Sequence, residues 1–469
     1  MSDNSRGKRL AKNTVIYMVS NFGSKVLTFL IVPLYSWYLT TSQYGTYDTI
    51  VSVEGLIMPL CILAINEGLL RWLLKSDEKD GAIIGTGYGI YLALILLTDV
   101  VLAVAFAVSG WRWGRMFLFL LTVSTMYTVL QYTARGAKRN RAFAVSGVIY
   151  TVTMLGCNMI FIAGLHYKIG GMLLSLALAC LFGALYLLFC MRNLFRPSSL
   201  SFDRGLGREM LRYSIMLVPN NISWWIMNAS DRVMLTAMIG SSYTGIYSIA
   251  CKFPTIVSTI HTIFYQAWQE QAVIEYDSDT RDQFYTRVFN LYVRLTGCLV
   301  LMLVPFSKLF ITLFMSESYT EGYRYTGVLY LGAMFSSFSA FYGTGYISSK
   351  DTKSAMYTTF LGAAVNILIN LFFIRRFGIW AACFSTFFGY LAVWIVRMIQ
   401  TRKYFTITVD WKTFFLLAGS CAAVSVAVCF CGTAATAVLF ALAAAAAVLL
   451  NQQLIKAAVR FLKNRRTKA

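Results

Sequence analysis

Charged side chains are scarce in this chain, at 13% of its 469 residues, where soluble domains carry about a quarter. Long polar connectors are missing too. The longest runs to under about 20 residues, which leaves no room for a soluble catalytic domain. Histidine occurs twice, at His166 and His261, and neither has metal-ligand company. The ten cysteines form no Cys-x-x-Cys pair and sit almost entirely in apolar segments, the pattern of small buried hydrophobes. Only Cys429 and Cys431, near a predicted outer end, are placed for oxidation. No Ser/His/Asp arrangement and no phosphate-cradling loop occurs, and Thr86-Gly87-Tyr88-Gly89, although it spells part of a potassium filter, opens an ordinary apolar segment. These absences speak against an enzyme, a metal site or a cofactor.

What the chain has in quantity is apolar sequence: 58% of its residues are hydrophobic. A spanning helix needs about 20 apolar residues, and such stretches recur to give an expected all-α, polytopic membrane protein of about fourteen spans. They fall near 14–38, 47–74, 82–109, 115–134, 142–165, 170–191, 210–239, 244–272, 286–315, 325–348, 354–374, 379–400, 411–430 and 434–456. The last pair depends on an Ala-rich segment, Ala434 to Val448, behind the small turn Cys431-Gly432-Thr433, so twelve spans is the alternative.

The net charge of +21 does not point to nucleic acid, because the bases recur in alternate connectors. Arg6, Lys8, Arg9 and Lys12 precede the first span; Arg135, Lys138, Arg139 and Arg141 follow the fourth; Arg192, Arg196, Arg204, Arg208 and Arg212 follow the sixth; the tail carries Lys456 to Lys468. The other connectors hold chiefly Arg112, Arg115, Lys168, Arg324, Arg375 and Arg376. This is the positive-inside pattern, which puts both termini in the cytoplasm. The polar start and the spanning length of the first apolar segment predict an uncleaved anchor.

The basic connector 192–209 divides the chain into an N-lobe (1–191, six spans) and a C-lobe (210–401, six spans), followed by two C-terminal spans and a basic tail (402–469). Sliding the chain by 200 residues sets Asn21 on Asn221, Gly45 on Gly245 and Tyr47 on Tyr247, with Tyr-Gly-Thr-Tyr and Thr-Gly-Ile-Tyr as matching outer turns. Polar stripes coincide as well. In the eighth span Ser248, Lys252, Thr255, Thr259, Thr262, Gln266 and Gln269 are spaced for one helix face, and Asp48, Ser52, Gly55, Pro59 and Asn66 match that register. In the seventh, Asn221, Trp225, Asn228 and Arg232 form a stripe that Asn21, Lys25 and Thr28 match. Each half starts on the same side with an even number of spans, so the repeat is parallel, an arrangement that places a transport site near mid-membrane. The plainer reading of the stripes is helix-to-helix hydrogen bonding.

Charges inside spanning helices cost about 2.5 to 3.5 kcal/mol and default to function or pairing. The acids are Glu54, Glu67, Asp99, Asp231 and Glu270; Glu67 and Arg71 are spaced as partners. That leaves Lys25, Arg232, Lys252 and Arg294 as cations on or near the stripes, with Arg232 alternatively paired to Asp231 or another acid. Such cations suit an anionic cargo carrying phosphate or pyrophosphate. Trp224, Trp225 and Trp268 offer faces for sugar rings. Asn366 and Asn370, with Thr359, are candidates for coordinating a coupling cation, as is Asp231, against ordinary interhelical hydrogen bonding.

The run Pro33-Leu-Tyr-Ser-Trp-Tyr-Leu-Thr-Thr-Ser-Gln-Tyr-Gly-Thr-Tyr47, the stretch Asp231-Arg-Val-Met-Leu with Gly245 to Phe253, and the segment Asn366 to Ala382 carry a resemblance. Over most of its length the chain resembles bacterial polysaccharide-biosynthesis flippases of the O-antigen type, in the superfamily that also holds multidrug extruders and lipid II flippases. The resemblance implies two six-helix lobes in a V around a central cavity, alternating access, and passage of an undecaprenyl-diphosphate-linked oligosaccharide to the outer leaflet of the bacterial cytoplasmic membrane. It implies Lys25, Arg232 and Lys252 as the cationic lining. It further implies membrane lipid as a partner, glycosyltransferases and a polymerase as neighbours in a pathway, and a sodium or proton gradient or the membrane potential as the energy source. Three rivals stay open: a lipid II flippase, a multidrug cation antiporter, which should carry acids where this chain carries bases, and a membrane-embedded glycan polymerase or acyltransferase, which should carry a large outer loop or a catalytic histidine.

Overall fold

A computed structural model of the chain describes residue 29, residues 31–75, 80–196, 200–349 and 351–452, and residue 456. Among the described residues every regular element is a helix. In the first part of the chain these are α1 (Val32–Tyr38), α2 (Thr41–Cys61), α3 (Ile65–Lys75), α4 (Asp80–Ser109), α5 (Gly114–Gly136), α6 (Asn140–Asn158, continued by a π-helical turn, Met159–Gly164), α7 (Lys168–Met191), α8 (Arg204–Ile215) and α9 (Val218–Met238). Then come α10 (Ser241–Lys252), α11 (Pro254–Ile274), α12 (Arg281–Phe314), α13 (Tyr323–Ser348), α14 (Thr352–Phe377), α15 (Ile379–Gln400), α16 (Trp411–Phe430) and α17 (Thr433–Leu450). Nine helices among the described residues are long and apolar enough to cross a membrane, and the bent pair α2 and α3 makes a tenth. α16 and α17 are both among the nine, which supports the expected final pair.

The solvent these helices need is readable from α4. Leu92, Leu96, Leu97, Val100, Val101, Val104 and Val108 are all exposed along it. At about 1.5 kcal/mol or more for each such side chain left in water, the penalty would reach about 10 kcal/mol, as large as the whole stability of a typical domain. Hydrocarbon removes that penalty, and the chain is a multi-pass membrane protein.

Contacts divide the chain into two compact units that change over inside α9, after Val233. In the first unit α5 and α7 pack through small and branched side chains; Leu120, Leu121, Leu130, Ala177, Ala184 and Leu187 are buried. Tyr127 of α5 stacks on Tyr150 of α6 at 5.6 Å, and a Cβ on Gly183 of α7 would stand 2.6 Å from the Tyr127 ring. The predicted second span is not straight. α2 and α3 meet at 56°, because Leu63 and Ala64 take φ of 47° and 52°, the left-handed region that stops a helix. Pro59, which has no N–H to donate, precedes that break.

Two expectations about the first unit are corrected. Tyr-Gly-Thr-Tyr is not an outer turn; it lies in the first turns of α2, where Thr40 and Gln43 close a capping box and start the helix at Thr41. Glu67 and Arg71 do not pair: Glu67 accepts from the Tyr132 hydroxyl at 3.2 Å, while Arg71 lies over the Tyr213 ring at 4.2 Å. The two side chains point from α3 toward different neighbours, α5 and α8.

The connector after the sixth span is folded onto this unit. Asp203 caps α8, accepting from the N–H groups of Gly205 and Leu206, and donates its own N–H to Thr86 of α4 at 2.9 Å. Here glycines in and beside the filter-like run acquire a reason. A Cβ on Gly85 would lie 2.5 Å from the Ser201 carbonyl oxygen, and one on Gly89 would lie 3.1 Å from the Phe202 ring.

In the second unit α13 packs against α11, α12, α15 and α16. Aromatic rings fill the space: Trp268 stacks on Phe341 at 4.1 Å, Phe264 on Tyr292 at 4.2 Å and Trp394 on Phe414 at 5.2 Å. A second cluster joins Leu235, Tyr247, Leu329, Ile374, Ile379 and Cys383. Thr-Gly-Ile-Tyr, like its counterpart, is helical and lies in the first turns of α10. The predicted eighth span breaks at Phe253, where Pro254 opens α11.

Candidate functional site

Each half brings its own part of the predicted site, and the two units are described separately. In the first unit α9 is pinned to α2 by two contacts. Arg232 Nε meets Asp48 Oδ2 at 2.6 Å, with both side chains largely withdrawn from solvent, and Arg232 Nη1 donates to the Asn228 carbonyl at 2.7 Å. Two turns earlier on α9, Trp225 Nε1 donates to the Ser52 carbonyl at 2.7 Å and its indole lies 3.6 Å from where a Cβ on Gly55 would stand. Asp48, Ser52 and Gly55 belong to the polar stripe of the second span, and Trp225 and Arg232 to that of the seventh, so the stripes face each other here. The acid that Arg232 meets is Asp48 of a distant helix. Asp231, the next-door acid, is itself buried. Asn221 is half-buried and Asn228 exposed, with the Asn228 amide donating to the Trp224 carbonyl. Asn21 and Lys25 lie outside the described residues.

The same unit holds two carboxylates, one buried and one half-buried, that no cation meets among the described residues. Glu54 of α2 is 7% exposed and accepts a hydrogen bond from the Ser124 hydroxyl. Asp99 of α4 accepts from Thr122 Oγ1 at 2.9 Å. Their hydroxyl partners sit two residues apart on α5.

In the second unit the eighth-span stripe divides between α10 and α11. Ser248 and Thr259 are buried, Lys252 and Gln269 half-buried, and Thr255, Thr262 and Gln266 exposed. The threonines satisfy their own donors along the helix: Thr255 to the Lys252 carbonyl, Thr259 to Thr255 at 2.7 Å and Thr262 to Ser258 at 2.8 Å. That back-bonding lets hydroxyls sit in an apolar medium at little cost and leaves each oxygen able to accept. Lys252 pairs with no carboxylate among the described residues, and neither does Arg294 of α12, whose Nε is buried without a hydrogen-bond partner.

Asn366 and Asn370 are buried in α14. The Asn370 amide donates to Asn366 at 3.2 Å, and Asn366 donates to Ser385 of α15 at 3.2 Å, so the amides form a chain across two helices. Gly389 permits that approach, since a Cβ there would come 3.1 Å from the Gly362 carbonyl oxygen.

Two buried cations escaped the sequence reading. Arg397 of α15 is 6% exposed and donates to Thr358 at 3.0 Å, Thr359 at 3.2 Å and the Ser339 carbonyl at 3.0 Å. Lys308 of α12 donates to the carbonyls of Val428 and Cys431 at the end of α16, where a cation complements the helix dipole. Both lie inside predicted spans, and that position was the signal that would have found them.

A family described as polysaccharide biosynthesis protein matches residues 10–269. An uncharacterized membrane protein of Methanocaldococcus jannaschii is 21% identical, over 84% of this chain and 98% of its own. Among solved structures, the lipid II flippase MurJ in an inward closed conformation superposes with a TM-score of 0.71 at 12% identity, covering 94% of this chain and 100% of that one. An inward-facing multidrug resistance MATE family transporter of the MOP superfamily gives 0.61 at 13% identity, covering 81% and 97%. At these identities the likeness is one of fold.

Proposed function

Since the chain belongs to the polysaccharide biosynthesis protein family and has the fold of flippases and multidrug transporters, we propose that it carries an undecaprenyl-diphosphate-linked oligosaccharide from the cytoplasmic to the outer leaflet by alternating access. The observation that carries this reading is a pair of cations in the second unit. Lys252 and Arg294, both within predicted spans, have no acid beside them among the described residues, and a diphosphate is the group that would supply the missing charge. The threonine and glutamine oxygens of α11, in the same unit, then offer hydrogen bonds to sugars. The protein works as a transporter without covalent chemistry, and glycosyltransferases and a polymerase of the same pathway make and use its cargo.

The domain assignment belongs to the same proposal: repeats 1–191 and 210–401, the connector 192–209 and the two-helix extension 402–469, with both termini cytoplasmic in the inner membrane. On that assignment α9 opens the second repeat, and the Asp48–Arg232 and Ser52–Trp225 contacts tie one repeat to the other. Alternating access requires those ties to part. A sodium or proton gradient, with Asp231, Asn366 and Asn370 as coupling residues, drives the cycle.

Proteoliposomes loaded with a fluorescent undecaprenyl-diphosphate sugar test the reading. The protein should move the label to the opposite leaflet, and Lys252→Ala with Arg294→Ala should slow transport by about tenfold for each charge-assisted bond lost, at about 1.5 kcal/mol apiece. Equal rates in wild type and double variant would overturn the cationic site. The fold likeness to a lipid II flippase favours one second reading, and lipid II as the labelled cargo in a parallel arm separates the two.

A further inference from the structure

Basic residues are sparse in the connectors after odd-numbered spans, yet three of them meet in one place. Arg112 and Arg115 at the start of α5 and Lys168 at the start of α7 line a cavity of about 630 Å³ in the first unit, together with Trp113, His166 and Tyr167. The three cations are exposed, none of the residues lining the cavity is acidic, and no ion pair neutralises them among the described residues.

Two helix N-termini add to the positive potential. α5 starts behind Trp113 and α7 behind Tyr167, and neither has a side-chain cap. Each such end presents unsatisfied N–H groups and about half a positive charge, and anions bind where these coincide with Arg or Lys. The backbone is also held in a costly form: His166 and Lys168 have φ of 51° and 30°, at about 1 to 3 kcal/mol for each non-glycine residue so placed. The Tyr38 ring stacks on His166 at 5.9 Å, which fixes the loop that presents Lys168.

We propose that this cavity binds an anionic saccharide group. A phosphate or carboxylate on the sugar is held by Arg112, Arg115, Lys168 and first-turn N–H groups of α5 and α7 other than that of Gly114, which donates to the Trp111 carbonyl, and the sugar ring lies against Trp113 or Tyr167. α2, α5 and α7 all begin on this side of the first unit, the outer face in the orientation proposed above. The flippase reading bears only on where the ligand comes from: a translocated glycan headgroup would meet this site on arrival.

Binding of glucose 1-phosphate, with glucose as the uncharged control, is measured by calorimetry on the full chain in nanodiscs of phosphatidylcholine. Glucose 1-phosphate should bind and glucose should not. Arg112→Gln/Arg115→Gln and Lys168→Gln should each weaken binding by tenfold or more, and Arg112→Lys/Arg115→Lys should retain most of it. Arg375→Gln/Arg376→Gln, which removes the basic pair ending α14, should change nothing. Wild-type affinity in the glutamine variants, no binding of glucose 1-phosphate, or equal loss in the Arg375/Arg376 control would overturn the proposal. Displacement by added phosphatidylglycerol would reassign the site to lipid headgroups and overturn the saccharide. Intact binding with no lipid transport would remove the flippase reading alone, and intact transport with no binding would remove this site alone.

Discussion

Replacing Asp48 by Asn keeps the size of the side chain and removes its charge, so it isolates the electrostatic part of the tie between α2 and α9. The side chains of Arg232 and Asp48 are 17% and 10% exposed. Breaking a buried pair by neutralising one member costs about 3 to 5 kcal/mol, and this partly hydrated pair belongs at the low end. About 3 kcal/mol corresponds to a population shift of about 100-fold away from the arrangement that holds the contact. Spin labels at Ser42→Cys in α2 and Ala229→Cys in α9, in a cysteine-free background, report that distance directly. The Asp48→Asn protein should gain a longer separation at the expense of the short one, and the swap Asp48→Arg/Arg232→Asp should restore part of the original distribution. The same distances and the same melting temperature in wild type and Asp48→Asn would refute the reasoning, because the pair would then carry no weight in the equilibrium.

Three further outcomes follow from contacts elsewhere. Asp351, which precedes α14, is held well below the ordinary carboxylate range by hydrogen bonds from the Ser354 side chain, Tyr404, the Ser354 N–H and Lys403. A depressed carboxylate contributes stability above its unfolded value of 3.8 and loses it as pH falls toward the folded value; the melting-temperature gap between wild type and Asp351→Asn should be constant from neutral pH down to about 4 and close below that. Arg397 lacks a carboxylate partner among the described residues, so Arg397→Met, which removes a buried charge and keeps the volume, should leave stability within about 1 kcal/mol or raise it. Arg397→Ala, which opens a void, should cost about 2 to 4 kcal/mol in thermal melts. Gly85→Val would drive a methyl group into the Ser201 carbonyl, costing about 1 to 3 kcal/mol and exposing residues 200–203 to protease.

Periodicity and length made the helices legible. From the second span onward each predicted segment is occupied by described helix, because twenty apolar residues admit one cheap conformation in lipid. The breaks were less visible. Pro254 marks the one after Phe253, but Leu63 and Ala64 are left-handed without a glycine to announce it. Stripe membership on α2 and α9 pointed to side chains that do meet, Asp48 with Arg232 and Ser52 with Trp225. It carried no information on which partner each would take, since the pairs are separated by more than a third of the chain. Arg71 shows the reverse error: spacing along one helix suggested Glu67, and a ring on another helix won. The cavity at Arg112, Arg115 and Lys168 draws on two connectors far apart in sequence, which no single-segment pattern brings together.

The seating of residues 200–203 and α8 on α3 and α4 decides how this protein can be taken apart. A fragment cut after Met191 would bare Gly85, Thr86 and Gly89, which in the intact chain receive Ser201, Asp203 and Phe202, and would strip Tyr213 from Arg71. Anyone wishing to express the halves from separate plasmids, or to insert a tag or reporter at the boundary, should therefore keep at least everything through Ile215 with the first half; a seam at Met216 and Leu217, the short step between α8 and α9, requires α9 to dock back on α2 through Arg232 and Trp225.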